Sequence, residues 1–264
     1  MSALLSTHRV EKVWGREHLP PPFTSESDNR VGEIWFDPPA ELPQLLVKYL
    51  FTSEKLSVQV HPDDARAPDG ARGKEECWFI LDAEPGARLA IGLRQSLSEE
   101  ELRAAALDGS IEDLLTWHAV EPGDFFYLPA GTIHAIGPGI SLIEVQQNSD
   151  ITYRLYDYGR PRKLHLDDAL RVARRGSYVR RERDIVPLTG ERTLIDGPHF
   201  RLDRIDGEPS EAAAQRYRGS LLLVPVDGDY AVAGEAVPAG SCALVEDIAH
   251  ITCTRGKALI TQPS

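Results

Sequence analysis

The amino-acid sequence predicts a mainly β protein, built from two β-barrel or jelly-roll units with a few short helices. Short runs rich in β-branched and aromatic residues recur along the chain, separated by glycine, proline or charged turns. Helical periodicity with suitable terminal residues is confined to the stretches 98–117 and 164–176. At 264 residues, the chain is long enough for one large all-β domain or two smaller ones.

Strand patterns dominate the first third of the chain. Residues 1–30 mix proline, serine and charge, so we interpret them as a surface segment anchored by Trp14. Alternation in the run ECWFIL places Glu76 and Trp78 on one face and Cys77 on the other. The predicted strands of this region are VGEIWF, LPQLLVKYLF, LSVQV, ECWFIL and ARLAIGL.

Helices are predicted in the middle of the chain. Ser98 can cap a helix through SEEELRAAAL that stops at Gly109, and IEDLLTW predicts a second short helix, so that the insert occupies 98–117. The run LHLDDALRVARRG at 164–176 has a helical apolar face and a terminal glycine. Between them, strands are predicted in AVEPGDFFYLPAGTIHAIG, ISLIEVQQ and TYRLYDYG.

A charged segment near 177–187 separates the two predicted units. It has no clear periodicity, so we place a first domain at 1–180 and a second at 181–264. The second unit has no paired histidine or glutamine spacing typical of metal ligands, which predicts a degenerate, metal-free β unit with a structural role. Its strand candidates are RTLI, HFRLDRI, SLLLVPV, YAVAG, CALV, HITC and ALITQ.

Composition narrows the classes of partner. Forty-one acidic residues against 29 basic ones give a formal net charge of -12, which argues against nucleic acid or an anionic membrane as the main partner. The three cysteines are widely spaced without a CxxC pair, so neither a disulfide framework nor a zinc knuckle is predicted. No signal peptide is recognisable, and no run approaches the roughly 20 apolar residues of a membrane span. We expect a cytoplasmic protein, either a monomer or a homodimer.

Two stretches carry candidate metal ligands. In LSVQVHPDD, strand alternation points Gln59 and His61 to the same face of a sheet. The segment GDFFYLPAGTIH has a strand, a Pro-Gly turn and a returning strand that ends at His134. Its spacing resembles the second signature of the cupin fold, although Pro138 stands where an asparagine is often found. With Glu76 these nitrogen and oxygen donors suit Zn²⁺ or a neighbouring divalent metal.

Narrow motifs extend the resemblance to one family. The chain is similar to type I phosphomannose isomerases of the short bacterial form, across most of residues 10–176. The motifs that carry the resemblance are KVWG at 12–15, LLVKYL at 45–50, SVQVHPDD at 57–64, GKEECWFIL at 73–81, GDFFYLPAGTIHAI at 123–136 and EVQQNSDITYRLYDYGR at 144–160.

The resemblance implies a metal-dependent aldose–ketose isomerase that interconverts mannose 6-phosphate and fructose 6-phosphate through an enediolate. It also implies one Zn²⁺ per chain, and a hexose phosphate as the small-molecule partner. The implied metal ligands are Gln59, His61, Glu76 and His134, and the implied catalytic residues are Arg154, Lys74 and Glu144. Arginine and lysine suit a phosphate or an enediolate, and Lys48 is a further candidate for the local basic group.

Several alternatives stay open at the level of the sequence. Either Glu144 or a water on the metal could be the general base, and the amide of Gln59 could hydrogen-bond beside the metal instead of binding it. A non-catalytic sugar-phosphate-binding cupin and a different metal-dependent cupin enzyme, such as a dioxygenase or epimerase, are the competing functions. The tryptophans Trp14, Trp35 and Trp78 are interpreted as packing residues, and His118, His165, His199 and His250 as ordinary surface or core histidines.

Overall fold

The computed structural model describes residues 3–24, 29–177 and 189–264, and it confirms the mainly β class. The described helices are all short, and none combines the length and apolar character that crossing a membrane requires. The longest of them begins at Ser98, whose side chain accepts from the N–H of Glu101 while the Glu101 carboxylate accepts from the N–H of Ser98. Gly109 ends it in the left-handed conformation. The first predicted helix is therefore confirmed at both ends.

The N-terminal part of the chain contains the following elements. Its strands are β1 (Ala3–Leu4), β2 (Thr7–Arg16), β3 (Val31–Phe36), β4 (Leu45–Phe51), β5 (Val58–Val60), β6 (Glu76–Ala83), β7 (Arg88–Leu93), β8 (Leu115–Ala119), β9 (Phe125–Leu128), β10 (His134–Ile136), β11 (Ile140–Gln147) and β12 (Tyr153–Tyr156). Its helices are α1 (Glu99–Asp108), α2 (Ile111–Leu114) and α3 (Leu166–Val172).

The C-terminal part adds eight strands and one α-helix in the described chain. The strands are β13 (Arg192–Asp196), β14 (Phe200–Asp206), β15 (Leu221–Pro225), β16 (Ala231–Val232), β17 (Glu235–Ala236), β18 (Ala243–Val245), β19 (Ile251–Thr252) and β20 (Lys257–Pro263). The helix is α4 (Glu211–Arg216), and a single 3₁₀ turn covers Ile248–His250.

Two antiparallel sheets of the N-terminal part face each other. The central sheet has the order β2-β3-β4-β11-β6-β9, and the helix-covered sheet has the order β12-β5-β10-β7-β8. Trp78 and Ile80 of β6 pack between these sheets with Leu89 and Ile91 of β7, whereas Cys77 points to the opposite face of the central sheet. The alternation predicted for β6 is confirmed, and the Glu76 face is the inward one.

The outer faces of both sheets are also covered. Leu102 of α1 and Leu170 of α3 pack on Val60 of the helix-covered sheet. The C-terminal sheet, of order β1-β18-β15-β20-β14-β13, packs on the far face of the central sheet, where Phe79 and Leu222 share one core. The central sheet is thus buried on both faces. Close packing on both sides holds its strands in place around the interior between the central and helix-covered sheets.

The structure corrects three expectations. Residues 7–16, for which no strand was predicted, form the edge strand β2, although they lie mostly at the surface and Trp14 is buried, as expected. The second helix ends at Leu114, and the residues after it pair with β7 as β8, so tertiary pairing overrides the helical pattern of IEDLLTW. Helix α4, which Ser210 caps, was not predicted. The segment at the proposed domain boundary, 178–188, lies outside the described residues, so the division into 1–180 and 181–264 stays a prediction.

Candidate metal centre and active site

A row of polar and aromatic side chains crosses the inner face of the central sheet. In the antiparallel register, Trp35 of β3 lies opposite Lys48 of β4, and Lys48 lies opposite Glu144 of β11. Glu144 in turn lies opposite Trp78 of β6. Side chains directly opposite on neighbouring strands are close enough to interact, so pairing alone assembles this row from four strands.

A second row lies on the helix-covered sheet and faces the first. Arg154 of β12 lies opposite Gln59 of β5, and Gln59 lies opposite His134 of β10. His61 follows Gln59 by two residues, just after β5 ends, and therefore shares its face. Glu76, at the start of β6, reaches the same point from the central sheet.

The space between the two rows is a cavity of about 360 Å³. Its walls carry the cations Lys12, Lys48, Lys74, Arg154 and Arg162, against the acids Glu33, Glu144 and Asp150. Lys74 also lines an adjoining recess that contains His61, Glu76 and His134. A cationic cavity inside a protein of net charge -12 is a local attractor for an anionic small molecule.

His61, Glu76 and His134 form the one buried cluster of candidate metal ligands among the described residues, with ligand atoms within 4.8 Å of one another. The Nε2 atom of His61 lies 3.6 Å from one Glu76 oxygen, and that of His134 lies 3.3 Å from the other. All three side chains are at most 2% exposed. The predicted ligands from three distant motifs therefore meet at one point.

The backbone fixes the tautomer of both imidazoles. Nδ1 of His61 lies 2.7 Å from the carbonyl of Ile151, and Nδ1 of His134 lies 2.9 Å from the carbonyl of Thr132. Each Nδ1–H donates to its carbonyl, so each Nε2 presents a lone pair toward Glu76. Burial lowers the pKa of both rings, well below the ordinary value for His61, which keeps them neutral.

This donor set fits a divalent metal. Two imidazole lone pairs and a carboxylate converge, and Oε1 of Glu76 is buried without a hydrogen-bond partner in the described structure. The amide of Gln59 lies 3.2 Å from Nε2 of His134, with its other end bonded to Ser57. An amide flip would place its oxygen among the donors, giving the mixed N and O set that suits zinc.

Lys74 adds a positive charge beside these donors. Its Nζ donates to Oε2 of Glu76 at 2.5 Å and lies 3.3 Å from Nε2 of His61 and 3.7 Å from Glu144. Burial alone would lower the pKa of Lys74, but the carboxylates of Glu144 and Glu76 outweigh it and raise the pKa to about 12. Lys74 is therefore an ammonium ion at the junction of the recess and the cavity.

Glu144 is held in the middle of the central row. One of its oxygens accepts from Nε1 of Trp78 at 3.0 Å, and the other lies 3.4 Å from Nζ of Lys48. Lys48 is only 4% exposed and also lies over the ring of Trp35 at 4.0 Å. Burial lowers the pKa of Lys48, although Glu144 opposes the shift. The carboxylate is thus fixed in orientation while one oxygen faces the cations of the cavity.

The two arginines of the cavity differ in their partners. The side-chain Nε of Arg154 is buried and has no hydrogen-bond partner in the described part of the chain. Burial lowers the pKa of Arg154, and the neighbouring Arg162 lowers it further. Arg162 makes a two-point contact with Asp157, with both N–O distances at 2.6 Å. Arg154 is accordingly the guanidinium with unused donors, as an anion-binding group requires.

Sequence reasoning missed several residues of the cavity wall. Lys12, Trp35 and Arg162 line it, and so does His165, whose Nδ1 accepts from the backbone N–H of Arg154 at 3.2 Å. The interpretation of Trp35 and His165 as ordinary residues overlooked this placement. Alternation in VGEIWF could have put Trp35 on the face of Glu33, whereas nothing in the sequence links Arg162 to Lys12.

The chain is similar in sequence to several mannose-6-phosphate isomerases. No family model matches the chain. It is 43% identical over 166 residues to mannose-6-phosphate isomerase of Streptococcus mutans, an alignment that covers 59% of this chain and 52% of the relative. It is 34% identical over 238 residues to YvyI of Bacillus subtilis, whose name is a provisional assignment as a mannose-6-phosphate isomerase. That alignment covers 78% of this chain and 74% of YvyI. The chain spans about half the length of the Streptococcus relative.

Solved structures show the same architecture. The crystal structure of mannose 6-phosphate isomerase from Bacillus subtilis superposes with a TM-score of 0.79 at 26% identity, covering 98% of both chains. A zinc-bound mannose 6-phosphate isomerase superposes with a TM-score of 0.74 at 14% identity, covering 100% of this chain and 99% of that one. Both agree with the cupin-like fold that the sequence predicts.

Proposed function

The chain belongs to the mannose-6-phosphate isomerase family, and we propose that it interconverts mannose 6-phosphate and fructose 6-phosphate. The observation that carries the proposal is the meeting of His61, Glu76 and His134 beside a cationic cavity of about 360 Å³. A hexose phosphate needs such a cavity, with a charged group at one end for the phosphate and a polar centre for the carbonyl carbons.

Gln59, His61, Glu76 and His134 would hold one zinc ion per chain. Such an ion supplies a Lewis acid that stabilises negative charge on the sugar oxygens as the proton moves. The neutral imidazoles support this assignment, and so does Oε1 of Glu76, for which the described part of the chain offers no hydrogen-bond partner. The carbonyl contacts of Ile151 and Thr132 orient the two rings.

Arg154 is assigned to the phosphate group. Among the described residues, no group accepts from its buried Nε–H, and Arg162 lies on the same wall of the cavity. A phosphate carries close to two negative charges at neutral pH, and Arg154 can meet part of that charge with charge-assisted hydrogen bonds, whereas Nε and Nη2 of Arg162 already bond Asp157. This places the reacting carbons toward Lys74 and the recess.

Glu144 is assigned as the general base. Isomerisation moves a proton between C1 and C2 of the open-chain sugar, so the base must face the cavity and keep a fixed direction. Nε1 of Trp78 holds one oxygen of Glu144, leaving the oxygen near Lys48 and Lys74 to accept the proton. The two ammonium groups also offset negative charge on the enediolate.

The test is a coupled assay for fructose 6-phosphate formation, run with mannose 6-phosphate, with mannose and with other hexose phosphates. We expect turnover that requires the phosphate, disappears with a chelator and returns with zinc. Binding without interconversion after zinc is restored would favour the sugar-phosphate-binding alternative, and turnover indifferent to the phosphate would favour another metal-dependent enzyme. The cytoplasm stays the expected compartment, and monomer and homodimer stay the expected oligomeric states.

A further inference from the structure

Asp64 and Gln147 belong to the two narrowest motifs of the chain, HPDD and EVQQNSD, yet neither lines the cavity. Neither lines the metal-site recess either. Nε2 of Gln147 donates to Oδ1 of Asp64 at 3.0 Å, so one amide and one carboxylate form a linked pair. The proposed reaction leaves this pair without a task.

The pair holds the backbone on both sides of Lys74. Oδ1 of Asp64 accepts from the N–H of Gly73 at 2.7 Å, and Oε1 of Gln147 accepts from the N–H of Glu75 at 2.9 Å. The N–H of Lys74 itself donates to the carbonyl of Pro62 at 2.9 Å. Three consecutive N–H groups are thereby satisfied in a segment that belongs to no strand, and Lys74 is their centre.

Gly73 shows how closely this segment is packed. A Cβ at this position would lie 2.5 Å from the backbone carbon of Asp63 and 2.6 Å from the nitrogen of Asp64. The segment therefore approaches the HPDD turn more closely than any residue with a side chain allows. The position of Lys74 depends on this close approach, because the lysine follows directly after it.

His199, from the C-terminal part of the chain, contacts both members of the pair. Its Nδ1 lies 3.3 Å from Nε2 of Gln147 and 3.7 Å from Oδ2 of Asp64. With its proton on Nε2, the ring accepts the second N–H of the Gln147 amide, so that the amide is bonded at all its polar positions. Ser264 anchors the turn that carries His199, since its hydroxyl donates to the carbonyl of Gly197 at 2.6 Å.

We infer that His199 is a positioning residue: the C-terminal part of the chain holds the Asp64–Gln147 pair, and the pair holds Lys74 against Glu76 and Glu144. This gives the C-terminal part of the chain, which the sequence predicts to be metal-free, a role in catalysis that extends beyond packing. The kinetic part of the inference depends on the proposed function, because it assigns Lys74 to the substrate. The structural part stands without it.

The kinetic test compares His199→Leu with His199→Asn in the full chain. Leucine fills the space without a hydrogen bond, whereas asparagine can offer an oxygen near the place of Nδ1. We expect His199→Leu to lower kcat about five- to tenfold with KM for mannose 6-phosphate nearly unchanged, as the loss of one positioning hydrogen bond implies. His199→Asn should recover most of kcat, and His250→Leu, at an exposed histidine of the same unit, should match the unmodified protein.

Amide hydrogen exchange gives a readout independent of turnover. In His199→Leu, exchange at Gly73 and Glu75 should quicken severalfold, while amides of β14 keep their protection. Equal acceleration at all these sites would show a purely structural role and overturn the inference, as would unchanged exchange at Gly73 and Glu75. If the unmodified protein shows no isomerase activity, the proposed function fails, and the exchange data still decide whether His199 holds the segment.

Discussion

The N-terminal and C-terminal interiors of this protein differ in the kind of side chain that their strands direct inward. Between the central and helix-covered sheets, inward positions include Lys48, Glu76, His134 and Glu144, all buried. The C-terminal interior, enclosed by the C-terminal sheet, β16, β19 and α4, is built from apolar and aromatic side chains. Its members are Ile205, Ala213, Tyr217, Leu221, Leu223, Tyr230, Val232, Val237, Ala243, Val245, Ile248, Ile251, Cys253, Ala258 and Ile260.

This contrast indicates which interior holds the candidate site. A buried charge costs free energy unless partners satisfy it, so an interior kept polar needs a reason other than folding. In the N-terminal interior, Lys48 forms an ion pair with Glu144, and Lys74 forms one with Glu76. Lys48, Lys74 and Glu144 also line the cavity. The C-terminal part also buries the carboxylate of Asp203, but Arg216 lies 3.2 Å from it and neither residue lines the cavity. Its contribution is packing plus the turn that carries His199.

The largest expected effect follows from removing the carboxylate of the metal centre. Glu76→Gln should abolish stoichiometric zinc binding and lower kcat/KM by about a thousandfold or more, because the ion loses its one anionic ligand. Elemental analysis after dialysis and the coupled assay measure the two effects. Circular dichroism should still show the β fold. A variant that binds zinc normally and turns over would show that Glu76 is not a ligand.

An apolar substitution in the other interior should have the opposite signature. Leu223→Ala removes a fully buried side chain and should lower the free energy of unfolding by about 2–5 kcal/mol. Urea unfolding measures this loss. Below the transition, kcat and zinc content should stay near those of the unmodified protein. A large loss of kcat in a folded Leu223→Ala protein would contradict the separation of the two interiors.

Arg154 tests the phosphate end of the cavity. Arg154→Met should raise KM for mannose 6-phosphate and weaken inhibition by inorganic phosphate about 10- to 100-fold, the effect of losing a charge-assisted hydrogen bond. Zinc content should not change. Arg171→Met is the matched control, since the Arg171 side chain is 60% exposed. If Arg154→Met lowers kcat alone and leaves phosphate inhibition intact, Arg154 acts on the enediolate and not on the phosphate.

The smallest expected effect belongs to Gln59. A neutral amide is a weak donor, so Gln59→Ala should weaken zinc binding only about tenfold, with the protein still active at saturating zinc. Competition with a chromogenic chelator measures the affinity. Gln59→Glu serves as the comparison, because it supplies a stronger oxygen donor at the same place. Unchanged affinity in Gln59→Ala would place the amide beside the metal and outside its ligand set.

Part of the candidate site could be predicted from local strand periodicity, whereas the roles of Arg154, Lys74 and Glu144 came only from the resemblance to a family. The inward direction of Glu76 followed from alternation with Trp78, and His134 followed from a turn of fixed spacing. The sequence could not show that Trp35 and Lys48 would be neighbours, because the register between strands is set by the whole sheet.

Other features depend on contacts between distant parts of the chain. Residues 7–16 look irregular in composition, yet pairing with β3 makes them a strand. Arg162 lines the cavity while Asp157 holds its guanidinium group, and His199 meets Gln147 where the C-terminal part packs on the central sheet. Periodicity carries no information on such contacts, since they arise from packing of complete sheets.

The most direct test of the account is a zinc titration of the metal-free protein with turnover of mannose 6-phosphate followed at each addition. If the inward residues of the N-terminal interior form one metal-dependent isomerase site, activity should rise in proportion to added zinc and level off at one equivalent per chain. Full turnover without metal, or one bound equivalent of zinc with no turnover of any hexose phosphate, would contradict it.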